Sequence, residues 1–277
     1  MRRCVACLFA VLFQALPAAA APALPRIASM NVCTDQLVLS LADPAQILGL
    51  SRYSRDASQS VVAAEGRRFP ALSGGAEDVL VLKPDIVIAS LFDKRATRDL
   101  LKANGLDLAE FSVPETLDEA KAQIREMGAI TGHADRASAG IARIDDAIAR
   151  ARALAAGPRY RVLPVSRRGW VSGARSLLGS LLAAAGLVNA AEGLGFGAGG
   201  LAPLETIIAL QPDFLVVSEA SDRAEDEGEA FLLHPALERM YPSAKRIVIP
   251  DRLVVCGGVT LADALDRLIG ELQRVTR

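Results

Sequence analysis

Short apolar runs alternate with segments of helical period along most of the chain, and charge, Gly or Pro separates them. Arg26–Ser29 predicts a short strand leading into a helix from about Thr34 to Leu41, and Ile47–Leu50 predicts a second strand. A helix ending at Leu100–Asn104–Gly105 precedes a strand over Leu108–Val113, and Arg161–Val165 opens the second half with another. Ser176 is a suitable N-cap for a helix over Leu177–Ala185 that Gly186 terminates. Arg246–Ile249 predicts a late strand, and Leu261–Val275 a closing amphipathic helix. Strands alternating with helices in this way predict parallel sheets in an α/β fold.

The chain also repeats itself once. Glu77 through Ser90 (EDVLVLKPDIVIAS) returns without a gap as Glu205 through Ser218 (ETIIALQPDFLVVS), with Glu, Leu, Pro, Asp and Ser identical. Each copy predicts a short helix stopped at a Pro-Asp turn, then a buried strand, Ile86–Ala89 or Phe214–Val217. Those strands are apolar throughout, as parallel strands covered on both faces must be. A unit recurring at about half the chain length predicts two Rossmann-like lobes, residues 21–132 and 157–277. Between them, over 133–156, Ile141, Ile144, Ile148, Ala151 and Leu154 share one helical face, with Arg143, Asp146, Arg150 and Arg152 largely opposite. This segment predicts a connector helix of roughly 30 Å.

Composition narrows the function. With 31 basic against 32 acidic side chains, the chain has no electrostatic reason for a nucleic-acid partner. Two histidines and four cysteines exclude most His-rich and Cys-rich metal frameworks. Met1–Arg2–Arg3, an apolar run from Cys4 to Leu16, and Ala18–Ala19–Ala20 together form a secretory signal, residues 1–20, too short to span a membrane. No cysteine sits at the cleavage point, which argues against a lipid anchor. Cys4 and Cys7 leave with the signal, so Cys33 and Cys256 remain, in a compartment that permits disulfides.

Several motifs carry less chemistry than their patterns suggest. Gly195-Phe-Gly-Ala-Gly-Gly200 satisfies the dinucleotide pattern but follows a helix and precedes Pro203, so it predicts a surface or cleft loop. His133 and His234 lack ligand partners at metal spacing, and neither lies in a segment that resembles a catalytic base loop. Enzyme activity is therefore not expected.

The loops at the predicted strand ends are richer, and in open α/β sheets such loops form the ligand crevice. They carry Asn31, Cys33, Thr34, Tyr53, Arg55, Phe92, Arg167, Arg168, Trp170 and Cys256. Arginine beside aromatics suits a bulky, partly anionic ligand. Cys33 and Cys256 form a disulfide closing a very long loop, or face the ligand as free thiols available to a soft metal, or are unrelated buried thiols. The sequence leaves these three open. Glu77 and Glu205 each open a helix, which suits the helix dipole, and equally suits a two-point docking face for a basic partner.

The sequence resembles the helical-backbone class of periplasmic substrate-binding proteins, which serve ABC importers of vitamin B12, ferric siderophores and haem. Residues 26–35 (RIASMNVCTD), 48–54 (LGLSRYS) and 181–189 (LLAAAGLVN) carry the resemblance, with the two repeated segments. It implies two α/β lobes joined by one long helix, ligand held between them, and one glutamate per lobe apex pairing with arginines of an inner-membrane permease dimer. Glu77 and Glu205 match those positions. Tyr53 resembles the aromatic ligand contact of B12 binders. Haem-binding relatives carry a tyrosine just upstream of the first apex glutamate, and Phe69-Pro-Ala-Leu-Ser-Gly-Gly75 contains none, which disfavours haem. The expectation is a monomeric periplasmic binding protein without a cofactor, capturing a corrinoid or ferric siderophore. An exported enzyme or a partner-binding module on the same scaffold is the alternative.

Overall fold

A computed structural model describes residues 23–154, 159–218 and 227–277. The predicted signal, residues 1–20, lies outside the described residues, as do residues 155 and 156 at the end of the predicted connector.

The first lobe contains β1 (Ile27–Ser29), α1 (Val32–Leu41), β2 (Ile47–Ser51), α2 (Ala63–Gly66) and β3 (Ala71–Leu72). It continues with α3 (Ala76–Leu82), β4 (Ile86–Ser90), α4 (Arg95–Ala103), β5 (Leu108–Phe111) and α5 (Leu117–Thr131). Its sheet has the order β3-β2-β1-β4-β5, all parallel. Successive connections leave β1 in opposite directions, and that reversal opens a crevice beyond the carboxyl ends of β1 and β4.

After α6 (Ala134–Leu154), the second lobe runs through β6 (Arg161–Ser166), β7 (Trp170–Ser172), α7 (Leu177–Ala184), β8 (Val188–Asn189) and β9 (Gly199–Leu201). It closes with α8 (Leu204–Leu210), β10 (Phe214–Val217), α9 (Glu227–Ala230), α10 (Pro235–Met240), β11 (Arg246–Val248), α11 (Asp251–Val254) and α12 (Leu261–Val275). The order is β11-β10-β6-β7-β9, with β8 paired to β6. The sheet is parallel as expected over β11-β10-β6, and β7 departs from it by running antiparallel to both β6 and β9. Only residues 167–169 join β6 to β7, too few for a crossover helix, so the chain must turn back as a hairpin.

The two repeated segments fold alike, and their polar residues explain why. Helices α3 and α8 end with Lys83 and Gln211 in the left-handed region (φ 48° and 44°), immediately before Pro84 and Pro212. The following aspartates then latch the first strand of each lobe. Asp85 accepts from the Arg26 backbone N–H at 2.7 Å, and Asp213 accepts from the Arg161 backbone N–H, also at 2.7 Å. Each arginine also donates to the carbonyl of its left-handed residue, Arg26 to Lys83 and Arg161 to Gln211. The shared Pro-Asp is thus a strand-start latch used twice.

One apolar core spans both lobes. It joins Ile27, Leu37 and Ile88 of the first lobe to Val162, Leu181 and Leu182 of the second, through Ile124 of α5, Ile144 of α6 and Leu265 of α12. Helix α6 buries Ile144, Ala147, Ile148 and Ala151, while Ile141 is half-buried and Leu154 sits at the exposed rim. Its polar side is tied laterally, Arg143 to Asp263 at 3.0 Å, Arg150 to Asp266, and Lys121 of α5 to Asp145.

Cys33 in the first turn of α1 is disulfide-bonded to Cys256 in the segment between α11 and α12, 223 residues away. This settles the three alternatives: neither cysteine is a thiol available to a metal. The bond fastens the chain leaving α11 to the first lobe, where Gln36 also donates to the Cys256 sulfur at 3.7 Å. Replacing both cysteines by alanine is expected to lower the unfolding free energy by about 2–4 kcal/mol, since the closed loop is very long. Guanidinium denaturation of the oxidised protein and the double variant checks this, and coincident curves would show that the shared core alone sets stability.

Candidate ligand cleft

Beyond the carboxyl ends of the strands lies a cleft of about 700 Å³. Phe92, which follows β4, and Val113–Glu115, which follow β5, form its first-lobe wall. Ser166, Trp170, Arg175 and the start of α7 form the opposite wall, and Asp251, Val254 and Val255 close one end. The walls are apolar yet open to water: Phe92 is 77% exposed, Val113 53%, Val255 51% and Trp170 44%. Large apolar side chains gathered in one concave surface mark a binding site, whereas the same residues scattered singly would not.

The glycine run explains how the second wall is built. A Cβ on Gly199 would come within 2.7 Å of the Trp170 ring, and one on Gly197 within 2.2 Å of the Arg175 guanidinium. The loop therefore serves as a seat that lets an indole and a guanidinium lie flat against backbone. Among the described residues, no acidic side chain pairs directly with Arg175, although Glu115 and Asp251 line the same cleft.

The residues expected at the ligand divide into three groups. Phe92 and Trp170 line the cleft on opposite walls. Asn31, Cys33 and Thr34 instead line a smaller adjoining pocket of about 210 Å³, which Phe92, Val113, Pro114 and Val255 share with the cleft. Asn31 caps α1 by accepting from the Cys33 N–H at 2.9 Å, and the buried Thr34 hydroxyl lies 2.7 Å from that of Ser29.

The remainder are drawn elsewhere. The Tyr53 ring carries the Arg52 guanidinium at 4.9 Å, and its hydroxyl accepts from Arg52 at 2.9 Å. Arg55 donates to the Phe69 carbonyl, so it braces the loop before β3 and does not line the cleft. Cys256 is buried by its disulfide. Arg167 and Arg168 occupy the β6–β7 turn beside Trp170, where Arg168 takes a left-handed conformation (φ 58°). Sequence reasoning missed Arg175, Val113 and Val255. A lone arginine immediately before the α7 N-cap was the available signal for Arg175.

Glu77 and Glu205 occupy equivalent places, exposed in the first turns of α3 and α8. Among the described residues neither carboxylate has a side-chain partner, although each is favoured by its helix terminus. Exposed apolar side chains accompany them, Val81 on α3 and Leu201 just before α8. His133 lies 3.2 Å from Asp43, and His234 caps α10 by accepting from Ala236, so both serve structure away from the cleft.

One ionisable group lies beneath the site. Asp35 of α1 is fully buried, and its carboxyl meets the Ser51 hydroxyl at 2.5 Å and the Ser51 N–H at 3.2 Å. Burial pushes its pKa up to about 8, against partial relief from the hydrogen bonds of Ser51 and Ser29. Ser51 is where β2 ends and the Arg52–Arg55 turn begins, so Asp35 fixes the origin of that loop.

The fold and cleft define a two-lobed binding protein of the solute-capturing kind. The sequence profile of the periplasmic binding protein family matches residues 27–249, and the chain belongs to that family. It is accordingly a solute-binding protein and not an enzyme. Among solved structures, the chain is similar to the periplasmic heme-binding protein RhuT from Roseiflexus sp. RS-1 in apo form, with a TM-score of 0.73 and 24% identity, covering 92% of this chain and 100% of that one. It is also similar to a periplasmic heme binding protein from Pseudomonas aeruginosa (TM-score 0.71, 23% identity, 89% and 92% covered). A third likeness is to the periplasmic vitamin B12 binding protein BtuF of Vibrio cholerae (TM-score 0.66, 15% identity, 91% and 98% covered). At these identities the likeness speaks for the fold. Among curated proteins no sequence matches.

The displaced Asp35 carboxyl has a measurable consequence. Unfolded, it loses its proton near pH 4, whereas folded it keeps the proton to about pH 8. Between those values the unfolded chain binds fewer protons than the folded one, so this group's contribution falls as pH rises through the window. Asp35→Asn is expected to remove that slope, which is of order 1 kcal/mol per pH unit. Urea denaturation of both proteins at pH 5 and pH 8 checks it: the midpoint should drop more in the wild type than in the variant.

Proposed function

We propose that the chain is the exported solute-binding protein of an ABC importer, which captures a preformed metal chelate between its lobes and presents it to an inner-membrane permease dimer. The observation that carries this reading is the chemistry of the cleft. Among the described residues, its lining sets the Arg175 guanidinium and the carboxylates of Glu115 and Asp251 among broad apolar walls and includes no histidine, tyrosine, methionine or free thiol. Such walls suit a bulky ligand with anionic groups at its edge. They offer no imidazole, phenolate or thiolate to complete a metal's coordination, so the metal arrives already enclosed.

A corrinoid or a ferric siderophore meets that description better than haem, whose iron takes axial ligands from protein. The names of similar structures, which include heme and vitamin B12 binders, support the broader class of large metal complexes. The secretory pattern of residues 1–20 supports delivery to the periplasm. Glu77 and Glu205, exposed and without a side-chain partner among the described residues, one on each lobe, support two-point docking on arginines of the permease.

Trp170 is the only tryptophan of the chain, so intrinsic fluorescence reports on the cleft wall. Titration with cyanocobalamin, a ferric trishydroxamate, a ferric tris-catecholate and haemin should quench it for a corrinoid or a ferric siderophore. Mass spectrometry of protein purified from the periplasm should find the same class. A colourless organic solute alone would refute the chelate reading, and tight haemin binding with a protein-ligated iron spectrum would refute the choice within it. Reversing Glu77 and Glu205 to Lys should abolish uptake, because each buried ion pair broken at an interface costs about 2–5 kcal/mol. Quenching by ligand should persist in that variant, and its loss would remove the docking role.

A further inference from the structure

The adjoining pocket beneath Phe92 is distinct from the open cleft in shape and chemistry. It is about 210 Å³, set between the carboxyl ends of β1, β4 and β5 and the first turn of α1. Val255 and Cys33 form one side, so the disulfide fixes that wall. Most of its polar groups are already engaged within the protein. The Asn31 amide oxygen accepts from Cys33, the Thr34 hydroxyl is paired with Ser29, and the Ser90 hydroxyl accepts from the Phe92 N–H. Ser112 accepts from Gln123 through both its carbonyl and its hydroxyl. What the pocket offers an occupant is therefore hydrocarbon surface, chiefly Leu37, Phe92, Phe111 and Val113.

We infer that this pocket is a ligand subsite that takes an aromatic ring or branched alkyl arm of the chelate held in the cleft. The inference rests on the proposed reading of the cleft. Three observations carry it. The pocket and the cleft share Phe92, Val113, Pro114 and Val255, so the two adjoin along that wall. Its volume exceeds the roughly 150 Å³ of an apolar cavity known to accommodate benzene in another protein. Its largely satisfied polar rim gives a charged arm little in exchange for lost water. Phe92, exposed above the opening, packs against the arm once it is in place.

The subsite makes the protein selective among chelates by their substituents and not by their metal. Ser112 is exposed at the pocket wall and gives only the Gln123 hydroxyl contact from its side chain, so Ser112→Phe fills the space at small structural cost. The test measures toluene binding by saturation-transfer NMR in the wild type and in Ser112→Phe, with far-ultraviolet circular dichroism confirming the fold of the variant. Alongside it, Trp170 quenching compares two ferric trishydroxamates that differ only in whether one arm ends in phenyl or hydrogen. The wild type should bind toluene and prefer the phenyl chelate by about tenfold or more, as burial of a ring's apolar surface requires. Ser112→Phe should lose toluene binding and treat both chelates alike. Equal toluene binding by the two proteins, or none by the wild type, overturns the subsite whatever the chelates do. If toluene binds the wild type alone but no chelate quenches Trp170, the cleft reading fails and the assignment of the arm falls with it.

Discussion

The burial of one side of α6 against both lobes is the constraint on which the other features depend. Two lobes with separate cores would hinge freely about a linker, and a cleft between them would have no fixed width. Here Ile144, Ala147, Ile148 and Ala151 sink into a core that continues from β1 and β4 through α5 and α12 to β6 and α7. Opening the cleft by a large angle would expose that shared surface, at about 25 cal/mol for each Å² of apolar area. The walls are therefore held near one separation, and the Cys33–Cys256 bond pins the segment that closes one end. A site built this way has little ordering cost left to meet when ligand enters.

Within that frame the two lobes use one device for the same purpose. Asp85 grips Arg26 just before β1 and Asp213 grips Arg161 at the head of β6, each after a helix that ends in a left-handed residue and a proline. The latch aligns β4 beside β1 and β10 beside β6 in parallel register. It also marks where α3 and α8 end, one short helix after Glu77 and Glu205. The repeated segment thus joins strand pairing in each lobe to an exposed carboxylate in the first turn of a short helix.

How much of this is legible in the chain depends on the range of the interaction. Local signals read well: the Ser176 cap, the Pro-Asp stops and the apolar strands act within a few residues, and the structure follows them closely. The antiparallel β7 and β9 were not legible, because the hairpin arises from a short turn whose Arg168 is an unusual left-handed residue. Cys33 and Cys256 stand 223 residues apart, and only the fold decides that their sulfurs meet. The cleft was half-legible. Phe92 and Trp170 follow from their places after strands, but Arg55 was misplaced because its Phe69 carbonyl partner belongs to a loop that no pattern predicts.

The glycine run shows why a motif and its surroundings have to be weighed together. Read as a pattern, residues 195–200 spell a phosphate-binding loop; read in context, they follow a helix and lead into β9, so no helix terminus points at a phosphate. What glycine supplies there is clearance. Without side chains at 197 and 199, Arg175 and Trp170 lie against the loop and face the cleft together. A guanidinium and an indole on one wall thus face Phe92 and Val113 on the other. The same absence of side chains that makes the run look like a nucleotide site is what builds a seat for the Trp170 indole and the Arg175 guanidinium.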